Sequence, residues 1–228
     1  MTLQSTLQAK LEAGLLEMGL LVSPEKQAKL IAYVLLIDKW NKVHNLTAIR
    51  DPLEMVTLHL LDSLSVLPHV QALAPKFLLD VGAGAGLPSI PLAICLPDLQ
   101  VTAIDSVTKK TSFMRQVKGE LGLSNFHVEA GRVEALKKER FNPGLENQGA
   151  GFNVIISRAF SEIALFINLT KHLLAENGLW LAMKGVVPDH EFENQEFKNT
   201  GIQPSKIEVL KVAGLDAERH LVFLSMNK

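Results

Sequence analysis

The stretch that decides the fold runs from Phe77 to Pro88 and has the sequence FLLDVGAGAGLP. Its first part, Phe77–Val81, is apolar, too short for a helix and bounded by glycine, so it predicts a buried strand. The glycine loop, Gly82–Gly86, allows a tight turn from this strand into a helix and a close approach of a ligand to the backbone. In open α/β sheets, ligands bind beyond the carboxyl ends of the strands, where this loop lies.

Downstream of the glycine loop, short apolar runs alternate with helical patterns, which predicts a mostly parallel sheet covered on both faces. Helices are predicted from the loop to about 95 and at 108–121, 162–174 and 188–199, with a loop at 139–151. Further strands are predicted at 100–104, 126–130, 153–156, 179–183, 206–212 and 220–226. The last two strands are joined by a connection too short for a helical crossover, so one strand of the seven should run antiparallel.

Upstream of residue 70, the pattern is helical. Leucines recur every four residues from Leu3 to Leu15, and Ser23-Pro24 and Asp51-Pro52 each combine a helix cap with proline in the first turn. The third helix is expected to end at Pro68. We therefore expect two parts, a helical extension of residues 1–70 packed on a core of residues 71–228 that forms one compact unit.

The composition excludes several classes of protein. The chain has 228 residues, 47% of them hydrophobic, and its 23 Lys+Arg balance 24 Asp+Glu, which excludes a disordered chain and a generally basic nucleic-acid coat. The single cysteine, Cys95, excludes an internal disulfide framework and a multi-cysteine zinc site. The histidines show no metal-ligand spacing, so no metal is expected. No secretory or membrane-spanning segment is predicted, and a cytoplasmic protein is the default expectation.

The residues that follow the first two strands indicate an adenosine-bearing ligand. Asp105 ends the second strand, where a carboxylate can accept both hydroxyls of a ribose, and the glycine loop lies beside it. The dinucleotide fingerprint needs a third glycine where this chain has Leu87, and the lysine of a phosphate-binding loop is missing. These features favour S-adenosylmethionine. The candidate cofactor residues from this pattern are Asp80, Gly82, Gly84, Gly86 and Asp105.

The motifs that the sequence lacks restrict which atom could accept a methyl group. Ser157-Arg158-Ala159-Phe160 replaces the Asn/Asp-Pro-Pro-aromatic motif of many amine methyltransferases. Cys95 lies in an apolar stretch typical of a packed thiol rather than a nucleophile. Methylation of the ribose 2′-oxygen commonly uses a Lys-Asp-Lys-Glu set, and in this chain only Lys184 lies in a comparable place. An acceptor that needs little base assistance remains, and guanine N7 is such an atom. Another RNA site, a protein or a small molecule also remain possible as the methyl acceptor. A different function, that of a nucleotide-binding interaction protein, remains open as well.

The whole chain is similar to a known family, and the similarity extends from Trp40 to His220. The motifs that carry it are Trp40-Asn41-Lys42, Asn45-Leu46-Thr47, Arg50-Asp51-Pro52, His59-Leu60-Leu61-Asp62-Ser63, Asp80 to Pro88, Asp105-Ser106 with Lys109-Lys110, Arg132-Val133-Glu134, Ser157-Arg158-Ala159, Lys184-Gly185 and Glu218-Arg219-His220. In this order they resemble the bacterial 16S ribosomal RNA guanine-N7 methyltransferase G family, long called glucose-inhibited division protein B.

The resemblance implies a Rossmann-like fold and a cytoplasmic, S-adenosylmethionine-dependent enzyme that releases S-adenosylhomocysteine. It implies methylation of N7 of one guanosine, guanosine 527, in a loop of 16S ribosomal RNA near the decoding centre, and low-level streptomycin resistance when the function is lost. The partner would be this RNA, within the small ribosomal subunit or its precursor, and the enzyme is expected to be a monomer. The family's cofactor contacts correspond here to Gly82, Leu87, Val133, Glu134 and Arg158.

No general base is expected, because guanine N7 carries no proton in the neutral base. Four basic residues are candidate RNA contacts: Lys109, Lys110, Arg132 and Lys184. For Lys109 and Lys110 a solvated helix face is an equally good interpretation. His59 and Asp62 share one helix face, and we expect them to form a hydrogen-bonded structural pair, with a face that bounds the substrate opening as the alternative.

Overall fold

The computed structural model describes residues 2–138, 151–158, 160 and 162–226. Its α-helices are α1 (Leu3–Glu17), α2 (Pro24–His44), α3 (Pro52–Met55), α4 (Asp62–Leu64), α5 (Leu67–Leu73), α6 (Ser89–Cys95), α7 (Thr108–Leu121), α8 (Ile163–Thr170), α9 (Asp189–Glu193) and α10 (Gln195–Lys198). A π-helical segment, Val56–Leu61, joins α3 to α4, and 3-10 turns cover Val133–Ala135 and Lys171–Leu173. The strands are β1 (Phe77–Val81), β2 (Gln100–Asp105), β3 (Phe126–Ala130), β4 (Phe152–Arg158), β5 (Leu174–Lys184), β6 (Gln203–Val209) and β7 (His220–Ser225).

The seven strands form one sheet in the order β3-β2-β1-β4-β5-β7-β6. β7 runs antiparallel to its neighbours β5 and β6, whereas the other adjacent pairs are parallel. The prediction of a mostly parallel seven-stranded sheet with one antiparallel strand is therefore confirmed. The chain progresses from β1 to one edge and then returns to β4 on its other side, which opens a crevice beyond the carboxyl ends of these two strands.

Several predicted bounds were wrong for local reasons. The helix predicted at 188–199 is two short helices, α9 and α10, because Asn194 has extended backbone and its side chain caps α10 by accepting the N–H of Glu196. Pro68 does not end a helix but lies in the first turn of α5. The N–H groups of a first turn have no partner within the helix, so the missing N–H of proline costs no hydrogen bond there. The predicted helix at 162–174 ends at Thr170, and β5 begins at Leu174. The loop predicted at 139–151 lies outside the described residues, except for Gly151.

The core lies on both faces of the sheet. On one face, α1 and α2 pack through Leu7, Leu11 and Tyr33 into the same apolar cluster as Leu78 and Val101 of the sheet. On the other face a second cluster gathers side chains of α8, α10 and the central strands. The helical residues before 70 thus share a core with one sheet face, and a domain boundary at residue 70 stays a prediction. Within the described residues, no helix is both long and apolar enough to cross a bilayer.

Candidate cofactor and acceptor site

The glycine loop depends on backbone that side chains disfavour. Gly82, Gly84 and Gly86 all have positive φ, at 70°, 62° and 92°. A Cβ atom added to Gly82 would lie 3.7 Å from the ring of Phe160, and one at Gly84 would meet no atom closer than 4.0 Å. The loop therefore turns without closing the space above it, which leaves its backbone open to a ligand.

Helix α2 supports the glycine loop from below. The hydroxyl of Tyr33 is fully buried and donates a hydrogen bond to the carbonyl of Ala85 at 2.7 Å. Burial raises the pKa of Tyr33 well above its usual value, which keeps the hydroxyl protonated as a donor. At the far end of α6, the ammonium group of Lys26 donates to the carbonyl of Cys95 at 2.8 Å. One helix from the N-terminal region therefore fixes both ends of the unit formed by the loop and α6.

We expect Tyr33→Phe to lower the free energy of unfolding by about 1–3 kcal/mol, because it leaves the carbonyl of Ala85 buried without its donor. It should also weaken binding of S-adenosylhomocysteine, since the glycine loop loses its support. Urea unfolding and titration calorimetry measure the two effects. Unchanged affinity in a destabilised variant would mean that the position of the loop does not depend on this bond.

The first cavity lies above the glycine loop and has a volume of about 360 Å³. The ends of β1, β2 and β3 surround it, together with Phe160 and Leu169 from the other side of the crevice. Six of the sequence-predicted residues lie in its wall: Gly82, Asp105, Lys110, Arg132, Val133 and Glu134. The structure therefore brings together the glycine loop, the acid at the end of β2 and the turn after β3, which are far apart in the chain.

Asp105 is held rigidly at the edge of the first cavity. One carboxylate oxygen accepts the N–H of Gly84 at 2.9 Å, and the other accepts the N–H of Val107 at 2.9 Å. The ammonium group of Lys110 is 3.6 Å from the oxygen that accepts the N–H of Gly84. A carboxylate oxygen has more than one acceptor position, so both oxygens can also accept hydroxyl donors from the cavity. This arrangement suits a ribose that presents two neighbouring hydroxyls.

The other predicted cofactor residues lie outside the wall of the first cavity. Asp80 is fully buried, and its carboxylate accepts the N–H of Ser89 at 3.2 Å, so it joins β1 to the start of α6. Gly84, Gly86 and Leu87 shape the loop, and Arg158 lines a second cavity instead. Their roles in cofactor binding stay predictions, and for Asp80 the geometry supports only an indirect role through the loop.

Burial raises the pKa of Asp80 from 3.8 to about 6. The unfolded chain releases this proton near pH 3.8 and the folded protein near pH 6, so the stability that the protonated form provides is lost as the pH rises between these values. The Asp80→Asn variant does not lose this stability, because asparagine has no carboxyl group to titrate. Relative to the wild type, we expect the free energy of unfolding of the variant to rise by about 2 kcal/mol between pH 4 and pH 7. Denaturant titrations across this range measure the difference, and parallel curves would contradict it.

The second cavity, of about 480 Å³, lies beyond the ends of β4 and β5. Its walls are Ile49, Leu58, His59, Asp62, Arg158, Met183, Lys184, Gly185 and Arg219. Asp62 is buried and bridges two arginines, with one carboxylate oxygen 2.8 Å from Nη1 of Arg158 and the other 2.8 Å from Nε of Arg219. Nη1 of Arg158 also donates to the carbonyl of Leu58, in the π-helical segment, at 3.1 Å.

His59 and Asp62 do not form the expected pair with each other. Nε2 of His59 is 3.1 Å from the hydroxyl of Thr47, and Asp62 is occupied by the two arginines. Burial is the main cause that lowers the pKa of His59 to about 4, and the charge of Arg158 adds to it. The imidazole is therefore neutral at physiological pH.

The four candidate RNA contacts occupy different environments. Arg132 is exposed at the edge of the first cavity, and Lys110 lies in the wall of that cavity beside Asp105. Lys109 donates to the carbonyls of His44 and Asn45, where it caps the end of α2. The ammonium group of Lys184 is 2.7 Å from Glu191 and half-buried. The environments of Lys109 and Lys184 are those of structural groups, and phosphate contact by any of the four stays a prediction.

Comparisons with known proteins find close relatives. Residues 26–222 match the family model described as rRNA small subunit methyltransferase G. A protein of Methylobacillus flagellatus named ribosomal RNA small subunit methyltransferase G is 59% identical over 96% of this chain and 98% of its own. A protein of the same name from Aromatoleum aromaticum is 49% identical over 96% and 99%.

Solved structures show the fold at lower identity. A putative O-methyltransferase from Klebsiella pneumoniae is 14% identical, with a TM-score of 0.58 and complete coverage of both chains. The glycopeptide N-methyltransferase MtfA is 12% identical, with a TM-score of 0.57, over 75% of this chain and 97% of its own. These likenesses establish the Rossmann-like methyltransferase fold.

Proposed function

Because the chain belongs to the rRNA small subunit methyltransferase G family, whose members depend on S-adenosylmethionine, we propose that it methylates N7 of a single guanosine in 16S ribosomal RNA, guanosine 527. Family membership over nearly the whole chain is the observation that supports an RNA acceptor. The free lone pair of guanine N7 and the lack of a suitably placed nucleophile support this atom: the one cysteine, Cys95, is buried, and burial raises its pKa to about 12.

The residues around the first cavity fit S-adenosylmethionine. The open glycine loop would lie against the cofactor, Asp105 would accept the ribose hydroxyls, and Val133 and Glu134 would border the adenine. When bound, this cofactor supplies an electrophilic methyl group on a positively charged sulfur. The chain itself would orient the two reactants and exclude water.

In the proposed reaction, the lone pair of N7 forms a bond to the methyl carbon while the carbon–sulfur bond breaks. The cofactor would supply the methyl group and leave as the neutral thioether S-adenosylhomocysteine, and the guanine that gains the methyl group would become a cation. No proton moves, so the protein needs no general base. Holding the two atoms about 3 Å apart in line is the main contribution that the site can make, and such orientation is worth roughly 7–11 kcal/mol.

Transfer of tritiated methyl groups tests this function. The purified protein is given labelled S-adenosylmethionine with deproteinised 16S RNA, with small ribosomal subunits that lack the modification, or with a protein extract. We expect label in RNA, released as 7-methylguanosine after nuclease digestion and mapped to one position. Label in protein, or in another nucleoside, would contradict the proposal and support one of the alternative acceptors.

Arg132 offers a test of the RNA surface, because it is exposed beside the first cavity. We expect Arg132→Ala to raise the KM for RNA several-fold, since one phosphate contact is lost, while affinity for S-adenosylhomocysteine stays within about twofold. Steady-state kinetics and calorimetry separate the two. Unchanged turnover on small subunits would remove Arg132 from the RNA surface.

The remaining expectations belong to the same proposal. We propose that the enzyme acts as a monomer in the cytoplasm, where its RNA is assembled, and that the helices before residue 70 form an extension of the core. The bonds from Tyr33 and Lys26 to the unit formed by the glycine loop and α6 support a role of this extension in holding the cofactor loop.

A further inference from the structure

The walls of the second cavity have two chemically different sides. Ile49, Leu58 and Met183 contribute an apolar side, whereas Asp62, Arg158 and Arg219 contribute a charged side. A ligand that is apolar and flat at one end and anionic at the other would satisfy both sides at once. A nucleotide has this chemistry, because its base has an apolar face and its phosphate carries the charge.

The charged side keeps a surplus of positive charge. Asp62 carries one negative charge and faces two guanidinium groups, those of Arg158 and Arg219. Lys184 in the wall is paired with Glu191 at 2.7 Å, and the buried His59 is neutral. Among the residues that line the cavity, one positive charge therefore remains for an anion, and both arginines are partly exposed, at 21% and 26% of their side chains.

Three separate parts of the chain converge to build this charged side. The π-helical segment supplies the carbonyl of Leu58 to Arg158, and Asp62 follows directly after that segment. π-Helical turns are rare and are frequently found at functional sites. Arg158 ends β4, and Arg219 precedes β7. The buried carboxylate of Asp62 therefore holds both partly exposed guanidinium groups in the wall of the second cavity.

We propose that the second cavity binds one nucleotide extruded from the RNA, with its purine against Ile49, Leu58 and Met183 and a phosphate against Arg158 and Arg219. Asp62 is then a positioning residue that fixes both arginines. This inference rests on the proposed function, and it specifies where the target guanosine is held. Enzymes that modify a base take it out of the stack, and they read it in a pocket of its own.

The position of the second cavity suits a reaction with a ligand in the first. Arg158 lines the second cavity and Phe160, two residues later, lines the first, so the two cavities flank the same short piece of chain after β4. With the arginines on a phosphate, the cations lie away from the imidazole ring of the guanine. This separation matters because the ring gains a positive charge during the transfer, which a neighbouring cation would oppose.

Arg219→Gln is the main test, because Arg219 is partly exposed and its loss leaves Asp62 paired with Arg158. Lys211→Gln is the matched control, since Lys211 is an exposed cation on the same connection to β7 whose partner is Glu17 of α1. RNA affinity is measured by filter binding of deproteinised 16S RNA over a range of salt concentrations. The KM for RNA and the affinity for S-adenosylhomocysteine are measured beside it.

We expect Arg219→Gln to raise the KM for RNA about tenfold and to lower the slope of log affinity against log salt by about 0.7, the effect of one lost phosphate contact on a single strand. Affinity for S-adenosylhomocysteine should stay at the wild-type value. Asp62→Asn should raise the KM for RNA in the same direction, and Lys211→Gln should change neither quantity. A salt slope and a KM that are unchanged in Arg219→Gln would overturn the proposal, whether or not Asp62→Asn folds.

The place of the base has its own measurement. Crosslinking of 16S RNA that contains 6-thioguanosine should join the RNA to peptides that include Leu58 or Met183. Crosslinks confined to α7 and the turn after β3 would overturn the placement of the purine. Wild-type protein that transfers no methyl group to 16S RNA would contradict the proposed function itself, so the two failures are distinct.

Discussion

Replacing Asp105 by alanine is expected to lower affinity for S-adenosylhomocysteine by about 100-fold or more. The carboxylate would accept two ribose hydroxyls, and each charge-assisted hydrogen bond is worth about 1.5–3 kcal/mol. The same change removes the acceptor for the N–H groups of Gly84 and Val107, so the glycine loop would also lose a fixed point. Calorimetry with S-adenosylhomocysteine measures the affinity, and urea unfolding measures the accompanying loss of stability.

Asn153→Ala is the control for this change. The side-chain oxygen of Asn153 also accepts two backbone N–H groups, those of Lys76 and Phe77, at 3.0 and 2.9 Å. These bonds lie at the amino end of β1, the opposite end of the strand from the glycine loop. Both variants should lose stability, and only Asp105→Ala should lose affinity for S-adenosylhomocysteine. An equal loss of affinity in both would show that Asp105 acts through the stability of the sheet rather than on the ribose.

The pattern of the sequence was sufficient for the sheet and for the first cavity. When one face of an element is buried, apolar residues repeat every two residues in a strand and every 3.6 residues in a helix. Glycine at positive φ is nearly obligatory in such a loop. Phe77–Gly86 therefore predicts a strand and a turn from the chain alone. The carboxyl ends of adjacent parallel strands meet at one edge, which brings Asp105 and Val133 beside Gly82 without knowledge of any contact.

The second cavity could not be predicted in the same way. Its charged side depends on an ion pair between Asp62 and Arg219, which are 157 residues apart, and no local pattern encodes such a pair. Spacing alone placed Asp62 beside His59 on a regular helix, whereas the π-helical segment redirects both side chains to other partners. The support of the glycine loop by Tyr33 was missed for a similar reason, because a tyrosine on the apolar face of a helix resembles any other core residue.

Gly86→Ala is expected to lower the free energy of unfolding by about 2–6 kcal/mol, a large part of the stability of an ordinary domain. Two costs add. Gly86 has φ of 92°, where a residue with a Cβ is strained by about 1–3 kcal/mol. Its Cβ would also lie only 2.8 Å from Cγ1 of the buried Ile90, and closer still to Cδ1, and overpacking a core costs about 1–3 kcal/mol. Urea unfolding at fixed pH measures the total.

Gly122→Ala separates the two costs of this change. Gly122 ends α7 with φ of 65°, and a Cβ there would meet no atom within 4 Å, so its replacement carries backbone strain without crowding. It should therefore cost about 1–3 kcal/mol, less than Gly86→Ala. Shortening the crowded neighbour by Ile90→Val should recover part of the loss in the Gly86→Ala background, since the methyl group in the closest contact is removed. Equal losses in the two glycine variants, with no recovery from Ile90→Val, would mean that the helix after the loop shifts to make room, and that Gly86 is needed for its backbone conformation alone.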